Sequence, residues 1–112
     1  MKLEQTKKLI HGKINHKDPL GCLILVLKSA IELLALPDNV FCWSSWEDNE
    51  EATNEIMALI DIIKDGNLPD IDNVSVLFSP TGPIQEISLS SGWGKIFLKV
   101  AKKYDEVKKL LW

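Results

Sequence analysis

Arginine is missing from this chain altogether, and lysine supplies all 13 of its strongly basic side chains. The planar fork of arginine is the usual donor to guanine edges and phosphates, so specific nucleic-acid recognition is without its commonest tool. Lysine alone can still hold a phosphate backbone loosely. Cysteine occurs only as Cys22 and Cys42, and histidine only as His11 and His16. All four are zinc ligands by type, yet no pair has the close C-x-x-C or H-x-x-x-H spacing that anchors such sites, so no metal and no other cofactor is expected. Both histidines sit among lysines, away from any nucleophile that would need a base. No catalytic residue is assigned.

Long apolar runs are lacking as well. The most apolar stretch, Leu20 to Leu36, is interrupted by Lys28 and Glu32 and stands at the lower limit of length for a bilayer span. The opening MKLEQTKKLI is too polar for a secretory leader. A cytoplasmic location, free thiols and no membrane partner follow as expectations.

What the chain does contain is enough for one domain over 1–112: 46% hydrophobic and 26% charged residues are globular proportions, and 112 residues can bury a core without disulfides. The net charge of −3 is unevenly spread. Residues 1–17 hold five lysines against Glu4, 47–65 hold seven acids against Lys64, and 95–109 hold six lysines against Asp105 and Glu106. Residues 1–17 read either as a short extra helix or as a mobile basic arm.

Leu20, Leu23, Ile24, Leu27, Ile31 and Leu34 recur at helical spacing, with Asp18-Pro19 as the start and Pro37 as the stop. Leu25, Val26 and Leu33 make further faces apolar, so this helix is expected to be central. Ala52, Ile56, Leu59, Ile60 and Ile63 predict a second helix from about Asn49 to Asp65, with Asp48-x-x-Glu51 at capping-box spacing and Gly66 ending it. Phe97, Val100, Ala101, Tyr104, Val107 and Leu111 predict a third. Val40-Phe41-Cys42-Trp43 reads as a short strand. From Val74 to Leu89 apolar residues alternate around Pro80-Thr81-Gly82-Pro83, which predicts a hairpin placing Val76 opposite Ile87, Val74 opposite Leu89 and Phe78 opposite Gln85. The expected architecture is therefore α+β, a small, mainly antiparallel three-stranded sheet packed with three helices in the order α-β-α-β-β-α.

Candidate sites are few. Trp46 and Trp93 follow predicted strands, where exposed aromatics mark binding surfaces, and Trp46 stands beside Glu47, Asp48 and Glu51. These five residues form the expected partner-binding set, facing another protein with a basic surface. The carboxylates have a plainer cause in the dipole of the helix that starts there. A second candidate, for a small ligand or anion, comprises Gln85 and Glu86 near the PTGP turn, with Ser91, Gly92, Gly94 and Lys95 at a strand-to-helix turn. Cys42 beside Trp43 reads as core filler rather than as a reactive thiol. Homodimerisation through an exposed sheet face or edge near Leu77 is a third expectation.

FCWSSWED over Phe41–Asp48 and LFSPTGPIQEISLSSGWG over Leu77–Gly94 resemble segments of small, uncharacterised bacterial single-domain proteins of unknown function. The resemblance spans about a quarter of the chain and carries no activity. Some small acidic bacterial domains are immunity proteins that neutralise toxins. By analogy of size and charge, the leading expectation is a non-enzymatic bacterial protein-binding module, of immunity-inhibitor type; the alternative is a small-ligand-binding or enzymatic domain using the PTGP and Ser91–Lys95 turns.

Overall fold

The computed structural model describes residues 3–41, 44 and 46–112. Among these residues the chain forms six helices and no strand: α1 (Glu4–His11), α2 (Pro19–Leu34), α3 (Asn49–Lys64), α4 (Ile71–Phe78), α5 (Pro83–Ser91) and α6 (Gly94–Leu111). The α+β architecture expected from the sequence is thus replaced by an all-helical one.

Helix α2 begins where Asp18 Oδ1 accepts from Gly21 N at 3.1 Å, with Pro19 at the first helical position. It packs against α1, α3 and α6, and Leu23, Val26, Leu27, Ala30, Leu33 and Leu34 are all buried. Burying each large aliphatic side chain is worth about 1.5–3 kcal/mol, so α2 is the axis of the core. Its far end is closed by Asn39, whose Nδ2 donates to Leu33 O and Leu34 O at 2.9 Å each. In α3, Asp48 caps by accepting from Glu51 N at 2.9 Å, and Glu51 Oε2 reaches back to Glu47 N at 3.3 Å. Gly66, at φ 87°, ends that helix, with Asn67 N donating to Ile62 O across the turn.

The predicted hairpin over Val74–Leu89 is instead the pair α4 and α5, joined by the PTGP segment. The buried set is Val74, Leu77 and Phe78 in α4 and Ile84, Ile87 and Ser88 in α5, each at i, i+3, i+4. The residues that completed the two-residue alternation lie outside, with Val76 at 53% and Leu89 at 64% exposure. Local signals favour the helices: Asp70 accepts from Asp72 N at 2.9 Å, Pro83 holds the first position of α5, and Gly92 (φ 89°) supplies a left-handed terminus where Trp93 N donates to Ser88 O at 3.0 Å. Gly82 is needed for space, since a Cβ there would stand 2.1 Å from Val76 O.

Among the described residues there is no sheet for the predicted strand Val40–Trp43 to join. Val40 and Phe41 lie in an irregular connection, and Cys42 and Trp43 fall outside the described residues. Val40 N donates to the Ser91 side chain at 2.9 Å rather than to a strand. The sheet face on which self-pairing is expected is absent among the described residues, and Leu77 is buried.

Residues 4–11 of the basic N-terminal segment are helical and docked. Leu3 at the N-cap of α1 offers no side-chain acceptor. Glu32 of α2 takes that role: its carboxylate accepts from Gln5 N and Thr6 N at 2.8 Å each and lies 3.0 Å from Thr6 Oγ1. The Thr6 hydroxyl also sits 2.8 Å from Ser29 Oγ, so two buried hydroxyls satisfy each other inside the α1–α2 contact.

Candidate functional site

The partner-binding set expected from the sequence separates into a buried and an exposed part. Trp46 and Trp93 are only 4% and 6% exposed and belong to the core. The Trp46 indole N–H donates to the carboxylate of Glu55, in the second turn of α3, and the Trp93 indole donates to Asn39 Oδ1 at 2.8 Å. Both tryptophans anchor connections, and their rings offer little surface to a partner. Glu47, Asp48 and Glu51 are exposed, with Asp48 and Glu51 engaged in capping α3.

The outer face of α3 extends this exposed part. Glu50, Asn54, Asp61 and Asp65 follow at separations of four, seven and four residues, one or two helical turns each, on the side away from the buried stripe of Ala52, Ile56, Leu59, Ile60 and Ile63. Met57 and Ile62, each 38% exposed, stand beside them. Met57 and Ile62, five residues and about 140° apart around the helix, flank the carboxylates on opposite sides, with Lys64 the single cation in this stretch of chain. Lysines concentrate elsewhere, on α1 and α6, which pack against each other and against α2.

The second candidate set is also divided. Gln85, Gly92, Gly94 and Lys95 line one shallow groove with Leu89 and Leu98. Ser91 is turned aside, its hydroxyl accepting from Val40 N, and Glu86 is an exposed first-turn residue of α5. The turn preceding α6 follows a helix, where the sequence predicts a strand, and Trp93 at the N-cap of α6 gives no side-chain cap.

Gln85 also borders a deeper cleft of about 410 Å³ between α4, the start of α5 and α6. Phe78 and Tyr104 stack at its floor, with ring centroids 4.7 Å apart and planes at 23°. Ser75 Oγ and the Tyr104 hydroxyl are 2.6 Å apart. Burial pushes the Tyr104 phenol above its ordinary pKa, the Ser75 hydrogen bond pulls it down, and the Asp105 charge pushes it up, so the ring stays protonated at neutral pH. The Gln85 Oε1 atom is buried and has no hydrogen-bond partner among the described residues. The sequence places Gln85 in the small-ligand set near the PTGP turn, but it does not reveal Ser75, Tyr104, Lys102 or Lys108, because nothing local shows that α4 lies across α6.

Among the described residues, no group of three or more His, Cys, Asp or Glu side chains is placed to hold a metal, and no helix is long and apolar enough to cross a membrane. Cys22 is a free thiol whose Sγ accepts from Asn15 N at 3.3 Å, and Cys42 lies outside the described residues. No family model, curated protein or solved structure matches the chain.

Proposed function

We propose that the protein is a non-enzymatic binding module whose docking surface is the outer face of α3, and that its partner is a protein with a basic surface. The observation that carries this reading is the juxtaposition on one helix of exposed Met57 and Ile62 with Glu47, Glu50, Asp61 and Asp65. Interfaces combine an apolar centre that is desolvated with a charged rim that steers association and rejects wrong partners. Helix α3 offers apolar side chains and steering charges together, with the carboxylates in the middle of the face and Met57 and Ile62 at its flanks, and its inner face is fixed on α2 by buried aliphatics, so the outer face is presented on a rigid element. Trp46 contributes from beneath by holding the Glu55 carboxylate. An immunity-type inhibitor covering a lysine- or arginine-rich toxin surface is the role this chemistry suits, and a reducing cytoplasm belongs to the same proposal.

The experiment is site-directed photo-cross-linking in the native host, with a photoreactive residue placed at Met57 and, as a control, at Lys99 on α6. A discrete adduct from position 57 and none from 99 is the expected result. Identical adduct patterns from both positions would remove the assignment of the surface to α3.

A further inference from the structure

We infer that the cleft between α4 and α6 is a binding site for a small aromatic carboxylate that also carries a ring hydroxyl, independent of the protein-docking face of α3. Three observations converge on the class of ligand. The first is the Gln85 Oε1 atom, which neither solvent nor any described donor reaches. A buried acceptor without a partner is costly, and native interiors rarely keep one unless something else uses it. Gln85 lines the cleft, and rotation about its broad terminal torsion turns the amide oxygen toward an O–H donor placed there.

The second is the shape and polarity of the walls. Phe78 and Phe97 give an apolar floor, and Leu98, 61% exposed, forms one lip. A flat ring laid across this lip removes apolar surface from water that the ligand-free protein leaves exposed. The volume, about 410 Å³, lies within the ordinary range for small-molecule sites. The Ser75 and Tyr104 hydroxyls already bond each other, so Gln85 is the group in the cleft that still lacks a partner.

The third is charge. Lys102 and Lys108 flank the opening, with Asp105 between them on α6. Two cations against one anion leave a single positive charge, and the interior adds none because Tyr104 is protonated. That balance suits one carboxylate at the mouth, with the ring inward and its hydroxyl aimed at Gln85.

The 112-residue chain, labelled with 15N, is titrated with 4-hydroxybenzoate, benzoate and phenol in parallel. Saturable shifts at the amides of Ser75, Gln85 and Ala101 are expected with 4-hydroxybenzoate, and binding about fivefold weaker or more is expected for each compound that lacks one polar group. Gln85→Leu should raise the unfolding midpoint of the free protein, because the unpartnered oxygen is gone, and should reduce affinity for 4-hydroxybenzoate to that for benzoate. Lys102→Ala with Lys108→Ala, at positions on the cleft lip, should lower it to that for phenol. No saturable shift in the millimolar range, equal binding of the three compounds, or unchanged affinity in both variants would overturn the site. None of these outcomes bears on cross-linking from position 57.

Discussion

Helices α1 and α3 begin with the same chemistry, a carboxylate accepting hydrogen bonds from first-turn amides, but the carboxylate comes from different places. In α3 it is Asp48, the residue immediately before the helix. In α1 it is Glu32, which belongs to α2 and reaches Thr6 across a sequence separation of 26. A helix capped by its own neighbour has its start specified locally. An eight-residue helix capped from another element is too short to persist alone and exists because it is docked. The outer face of α3 can therefore serve as a preformed surface, whereas the lysines of α1 are positioned only as long as the α1–α2 contact holds.

Removing each carboxylate should separate the two cases. Glu32→Ala leaves the Gln5 and Thr6 amides without their acceptor, while the Thr6 hydroxyl keeps Ser29, and should cost about 2–3 kcal/mol in chemical denaturation. Its signature is local: amide exchange should accelerate across 4–11 while α3 keeps its protection. Asp48→Ala removes one N-cap and should cost about 1 kcal/mol, with faster exchange confined to the first turn of α3. Equal, global loss of protection in both variants would erase the distinction between local and tertiary specification.

The same distinction explains which parts of the fold were legible in the sequence. Helices α2, α3 and α6 are 16 to 18 residues long, and their stripes repeat often enough to leave one period possible. Helices α4 and α5 have eight and nine residues, in which Val74, Val76, Phe78 and Ile87, Leu89 fit a strand as well as a helix. Branched side chains and a proline-glycine turn tipped that balance toward a hairpin, although Asp70, Pro83 and Gly92 sat at helix-terminal positions. Their capping chemistry was the better guide, since a cap fixes a backbone geometry while a short alternation only permits one. The acidic start of α3 was readable for the same reason, through Asp48 and Glu51. Burial of Trp46 and Trp93 was not, because it depends on Glu55 and Asn39, neither of which a tryptophan in a connecting segment announces. The cleft was legible only through Gln85, and for a different reason, since its partners come from α4 and α6.

The central functional claim concerns the face of α3, and the most direct measurement is retention of host proteins by the wild type and by a Glu50→Lys, Asp61→Lys variant. Both positions are exposed and neither caps the helix, so the variant should fold with an unchanged circular dichroism spectrum. The account predicts a partner retained by the wild type at low salt, weakened as ionic strength rises, and lost from the variant. A partner retained equally by the folded variant and the wild type would contradict it.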